Sequence, residues 1–277
     1  MLIWRMIIDT HCHLQGTEFE ADLQSVVSNA QNAGVGQAVL IGVDQANSAR
    51  AFEVQAKFPQ FFAVAAGVHP NEAKGFDPAA ATWITDLAQS GKIVGIGETG
   101  LDFHYDYAPR NDQEKAFQFQ IETAQASDLP LIIHCREAYP ETLEVLRQHY
   151  PEKTQSGAGE LPDSPGGVMH CYFGSLEQAH ELIARGFVLG IGGSCTFKNA
   201  KELHEVIRKI PLKHLVLETD APYMTPVPFR GKRNESAHLR YVVSRVAELK
   251  DVAPEVVVET TTSTALRLFR NKIGGER

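Results

Sequence analysis

Short runs of apolar, mostly β-branched residues recur along the chain at 6–10, 37–43, 61–68, 93–97, 131–134, 167–170, 187–191 and 214–219. Each is followed by a polar turn and then by a stretch with helical spacing, as in 18–32, 46–58, 110–127, 137–149, 176–185 and 200–209. Runs such as AVLIGV and LIIH are apolar at nearly every position, which fits strands buried on both faces of a parallel sheet. Eight strands alternating with helices predict a closed (β/α)8 barrel, an α/β fold of the TIM-barrel type. An open doubly wound sheet usually has fewer strands, and no GxGxxG loop follows the first run. Two further helices are expected at 237–249 and 254–270, after a long loop at 221–236. The segment 151–167 is rich in Gly, Pro and Ser without an apolar period, and reads as a surface excursion.

Composition narrows the picture. The 277 residues suit one barrel domain spanning 1–277, since such barrels commonly need about 250. Lys and Arg total 26 against 34 Asp and Glu, a net charge of −8, so no global positive field draws the chain to nucleic acid or membrane. Any phosphate recognition must be local. The opening MLIWRMII run is too short for a secretory core or a membrane span, which makes cytoplasmic residence the expectation. Cys12, Cys135, Cys171 and Cys195 form no CxxC pair and read as reduced thiols. No obligate protein partner is evident.

Polar residues able to ligate metal stand at the C-terminal ends of these runs, where barrel enzymes keep their active sites. The first run ends in Asp9-Thr10-His11-Cys12-His13, and residues two apart on a strand share a face, so His11 and His13 project together while Cys12 turns away. Glu98 ends the fourth run, His134 the fifth, His170 the sixth and Asp220 the eighth. A lone histidine at a strand end is more often a hydrogen-bonded surface or core residue; six such groups at one end of the barrel point to metal. Six protein ligands exceed what one tetrahedral catalytic site needs. The expectation is two divalent cations, Mg, Mn or Zn, with Glu98 as the bridge. His11, His13 and Asp220 then serve one cation with Glu98, and His134 and His170 serve the other. Cys135 and Cys171 directly follow ligand histidines and should face away from them. His69 should line the mouth without being a seventh ligand. His104 and Tyr105 can stack on a base or pack on their own loop, while His149, His180, His204 and His238 fall on helices and are expected in solvent.

The ordered blocks DTHCHL, GVHP, GETGLDFHYD with the following PRNDQ, IIHCRE, MHCYFGS, LETDAPY and PFRGKRNE resemble those of the TatD-type metal-dependent deoxyribonucleases of the amidohydrolase superfamily. The resemblance covers nearly the whole chain. It implies a barrel, a divalent metal pair on the six residues above, and phosphodiester hydrolysis, with DNA exonuclease activity. Gln15 and Ser236 depart from the family pattern, which has Asp and Pro there; neither is a ligand position. In the hydrolytic reading Asp220 and Glu98 are the catalytic residues, with Asp220 as the base that accepts a water proton. Glu218 shares the strand face of Asp220 and could orient a ligand histidine. Arg230, Lys232, Arg233 and Arg136 are candidate phosphate contacts, Arg230 foremost because the family block contains it and a guanidinium offers a bidentate fork. Another amidohydrolase-type reaction, such as D-aminoacyl-tRNA deacylation or ester or lactone hydrolysis, is the alternative. A non-catalytic binding scaffold is the third reading, and the intact ligand set speaks against it.

Overall fold

The computed structural model describes residues 6–152 and 165–273. Its eight strands are β1 (Ile7–Cys12), β2 (Val35–Gly42), β3 (Phe62–Ala66), β4 (Ile96–Asp102), β5 (Leu131–Arg136), β6 (Gly167–Met169), β7 (Phe187–Ile191) and β8 (Leu215–Leu217). They pair in parallel in sequence order. The helices between them are α1 (Leu23–Asn32), α2 (Gln45–Lys57), α3 (Pro78–Gln89), α4 (Arg110–Ala126), α5 (Tyr139–His149), α6 (Leu176–Ala184) and α7 (Lys201–Lys209); α8 (Leu239–Lys250) and α9 (Pro254–Leu268) close the chain. This is the (β/α)8 barrel that the pattern predicts. Among the described residues no helix is long and apolar enough to cross a membrane. Most of the 151–167 excursion lies outside the described residues.

Alternation along the strands splits the apolar residues between two layers. Ile8, Val39, Ile132, Val168, Val188 and Val216 face inward and form one cluster with Leu268 and Phe269 at the end of α9. Their neighbours Ile7, Leu40, Leu131, Met169, Leu189 and Leu217 face outward into the layer of helices. The lumen is thus filled from below, and only its C-terminal end is left for polar groups.

The barrel closes at that same end. β8 is three residues long, shorter than the expected 214–219: His214 ends a 3-10 turn, Glu218 N still donates to Ile191 O of β7 (3.1 Å), and from Thr219 on the chain bonds to β1. Asp220 N donates to His11 O (2.9 Å), His13 N to Ala221 O (2.8 Å), and Thr10 Oγ1 to Leu217 O (3.0 Å). Buried Asp9 clamps the seam, accepting from Thr219 N (2.9 Å), Thr219 Oγ1 (2.7 Å) and Ser236 Oγ (2.6 Å). Burial pushes the Asp9 carboxyl up to about 6, against the pull of these donors. Ser236 therefore ties the loop after β8 to β1. Replacing Ser236 with Ala removes one hydrogen bond to a buried carboxylate and is expected to lower stability by about 1.5–3 kcal/mol. Chemical denaturation monitored by circular dichroism checks this, and an unchanged midpoint would refute it.

Some expectations are corrected. Helix α3 fills a stretch that the apolar pattern leaves unassigned; Asp77 caps it by accepting from Ala80 N (2.9 Å), with Pro78 in its first turn. The helix expected at 18–32 starts only at Leu23, after a 3-10 turn at Thr17–Phe19. His204 is buried rather than in solvent, and its Nε2 donates to Cys195 O at 2.8 Å. His238 is half-buried, stacked on Phe229 at 4.7 Å.

Candidate metal centre

All six expected ligand residues meet at the C-terminal mouth of the barrel. β1 supplies His11 and His13, whose Nε2 atoms lie 3.2 Å apart. Glu98 Oε2 is 3.5 Å from His11 Nε2 and 3.6 Å from His13 Nε2, while Asp220 Oδ1 is 3.8 and 3.6 Å from the same two atoms. Four ligands at about 2.1 Å around a tetrahedral cation are separated from one another by about 3.4 Å. These five separations bracket that value. Groups of His, Glu and Asp able to hold an ion are found here as His11, His13 and Glu98, as His11, His170 and Asp220, and as His69, Glu98 and His134.

The other oxygen of Glu98 serves the far side. Oε1 is 2.9 Å from His134 Nδ1, 3.1 Å from His170 Nε2 and 3.6 Å from His69 Nε2. Glu98 reaches this position because the β4–β5 register shifts between Ile96 and Thr99. Gly97 and Gly100, at φ +141° and +137°, take backbone conformations that L side chains rarely adopt, and a Cβ on either would strike the carbonyls of Ile132 or His134. The glycines of GETGLD are required by this close approach of β5.

Outer partners orient the imidazoles. His13 Nδ1 donates to Ile41 O (3.0 Å), a carbonyl that also accepts from Gln15 Nε2 (2.7 Å). His134 Nε2 donates to Asp102 Oδ2 (2.9 Å), and His170 Nδ1 faces Glu218 Oε1 (3.4 Å). Each pairing leaves His13 Nε2, His134 Nδ1 and His170 Nε2 aimed at the carboxylates, the arrangement in which outer groups fix the tautomer of metal-binding histidines. His69 differs. Its Nδ1 accepts from Asn71 N (3.0 Å), and burial holds the ring down to about 3, so the neutral ring carries its proton on Nε2. That Nε2 lies 3.6 Å from Glu98 Oε1, beyond hydrogen-bond distance.

Charge inside the cluster follows from burial and mutual attraction. Burial raises the Glu98 carboxyl, but the imidazoles of His170, His69 and His11 outweigh it and hold it well below the usual carboxylate range. Asp220 is likewise lowered, burial being overcome by His13 and His170. Burial depresses His170, yet Glu98 and Glu218 raise it well above the ordinary imidazole value; His134 is raised the same way by Asp102 and Glu98. Two ionised carboxylates among converging ring nitrogens make a donor set suited to divalent cations.

The thiols stay outside. Cys12 donates to Val39 O (3.4 Å), and Cys135 accepts from Thr142 Oγ1 (3.4 Å). Among the candidate cations, Arg136 lies over Tyr105 (4.9 Å) and Arg230 over Phe197 (3.9 Å), both exposed. Arg233 is instead committed to Asp22 (2.6 and 3.0 Å) and Glu18 O (2.5 Å), which corrects its reading as a phosphate contact. Asp102 is the functional residue that the sequence reading passes over, although its i+4 spacing from Glu98 on one strand was a usable signal. Asp9 was another, two residues before His11.

Comparison with known proteins places this geometry. The family model for TatD related DNase matches residues 8–270. The chain is 39% identical over 265 residues to the uncharacterized metal-dependent hydrolase YabD of Bacillus subtilis, covering 96% of this chain and 99% of that one. It is 33% identical over 269 residues to the 3'-5' ssDNA/RNA exonuclease TatD of Salmonella typhimurium, covering 95% and 98%. The crystal structure of the TatD homologue YJJV from Escherichia coli K12 superposes with a TM-score of 0.86 at 30% identity, covering 97% and 99%. The chain therefore belongs to the family of TatD related DNases, metal-dependent hydrolases that cleave ester bonds.

Proposed function

We propose that the chain is a two-metal phosphodiesterase that removes nucleotides from DNA ends, as its exonuclease relatives are named for doing. The observation that carries this is Glu98, whose Oε2 faces His11 and His13 while its Oε1 faces His134 and His170. His11, His13, Asp220 and Glu98 Oε2 would hold one cation, and His134, His170 and Glu98 Oε1 the other. A divalent pair bound there supplies an acidified water and a Lewis acid for phosphoryl oxygens.

The chain's own groups do the rest. Asp220, kept ionised, accepts the proton of the attacking water and returns it to the leaving oxygen. His69 Nε2–H donates toward a phosphate oxygen at the mouth. Arg136 and Arg230 neutralise the flanking phosphates. The test is hydrolysis of an end-labelled oligonucleotide across Mg, Mn and Zn, run beside an aryl phosphodiester and a D-aminoacyl-tRNA. Deacylation without phosphodiester cleavage would overturn the reading.

Acid should strip the centre. His170, His134 and His13 are raised above the ordinary imidazole pKa of 6.5, so in metal-free protein they carry protons that a cation must displace. Apparent metal affinity is therefore expected to fall as pH drops, beginning above 6.5, with proton release on binding. Titration calorimetry in buffers of different ionisation enthalpy measures this; pH-independent affinity between 8 and 6 would contradict the assigned ligands.

A further inference from the structure

The loop after β4 presents two aromatic rings that the fold does not bury. Tyr105 is 40% exposed and Tyr107 63% exposed, yet their rings are stacked, with centroids 5.2 Å apart and planes within 19°. The Arg136 guanidinium lies over the Tyr105 ring at 4.9 Å, and His104 meets that ring edge-on at 4.7 Å. His104 is itself held by Glu137 Oε1 at 2.7 Å. A braced stack facing solvent contributes little to folding, and exposed apolar surface beside an active site marks a binding surface.

The stack is also tied to the metal centre. Asp102 Oδ2 accepts from the ligand candidate His134, while Asp102 Oδ1 accepts from the backbone N–H of His104 (3.0 Å) and Tyr105 (3.2 Å). One buried carboxylate thus sets both an imidazole of the centre and the loop that carries the rings. β4 and β5 register Asp102 against Arg136, so the residue that carries the guanidinium stands beside the carboxylate that sets the loop.

We propose that Tyr105 and Tyr107, braced by Arg136, form a stacking platform for an unpaired nucleobase next to the scissile phosphate. The proposal rests on the phosphodiesterase reading above and assigns to these two rings the preference for single strands that the exonuclease relatives are named for. Every base has an aromatic face, so such a platform is indifferent to sequence, and Arg136 can meet the adjoining phosphate. In a duplex those faces are already covered by neighbouring bases, so only an unpaired end fits.

The test is steady-state kinetics of the metal-loaded enzyme on a single-stranded oligonucleotide, the same oligonucleotide with abasic terminal positions, and bis-p-nitrophenyl phosphate. Base stacking on one aromatic contributes about 1–3 kcal/mol, which is about 5- to 150-fold in affinity. In the wild-type enzyme, abasic ends should raise KM by at least about fivefold at this scale, an arm that needs no mutant to fold. The Y105A/Y107A protein should lose the difference between intact and abasic ends, and Y105F/Y107F should restore it. An unchanged KM for abasic ends, or an alanine pair that still discriminates, would overturn the platform. Cleavage of the aryl diester with none of any oligonucleotide would instead overturn the DNA reading, and the platform with it.

Discussion

Replacing Glu98 with Gln is expected to lower kcat/KM by about 10³-fold or more, because the cation effects it supports are worth several kcal/mol and each 1.36 kcal/mol is tenfold. Glu98 is 3% exposed and stands within 3.6 Å of five imidazoles, two on one oxygen and three on the other. An amide keeps the shape but removes the charge, and turns an N–H₂ donor toward ring nitrogens that must present lone pairs. Both halves of the cluster lose their shared anion. Metal analysis of the purified variant, with melting temperature measured before and after chelation, separates this loss from misfolding. A variant that binds two equivalents and hydrolyses DNA at the wild-type rate would remove Glu98 from the bridging position.

Asp220→Asn is the second large effect. General acid–base groups contribute about 10²–10⁴-fold, and a fall of that size in kcat is expected here. Asn is the informative replacement because Asp220 sits at φ +55°, a left-handed conformation that Asn tolerates well among non-glycine residues. The backbone bond from Asp220 N to His11 O should therefore survive. Loss of a ligand and loss of a base can be told apart at saturating metal. If Asp220 is the base, the acidic limb of the kcat profile disappears; if it acts only as a ligand, the limb stays and excess metal restores rate.

Much of the centre was legible because strand geometry is simple. Two residues apart means one face, so His134 above Ile132 and His170 above Val168 follow from parity once the inward apolar residue is known, and the HxH spacing keeps its two rings together. Ile8 and His11 differ in parity, and both face inward because the β1–β2 register shifts between Asp9 and Cys12. Glu98 does not obey that rule. Ile96 packs outward and Glu98 inward, and the switch comes from the backbone at Gly97, which no periodicity reveals. Helix α3 was hidden for another reason. Only Ile84 and Ala88 of its residues are buried, too few to write an apolar stripe. Outer partners such as the Ile41 carbonyl and Asn71 N–H are backbone groups, which a sequence carries everywhere alike. Their choice depends on where β2 and the turn after β3 come to rest.

The seam between the first and last strands has a consequence for when activity can arise. His11 and His13 are made with β1, ahead of the other seven strands, while Asp220 and the Ser236 that grips Asp9 are made after most of the barrel. Domains fold during synthesis from the N-terminal side, at about 5–20 residues per second. A growing chain holds His11 and His13 without Asp220 until the eighth strand has emerged. If Asp220 is the base proposed above, cutting power against nucleic acid is withheld until the ring shuts, and a fragment ending before residue 220 would lack it altogether.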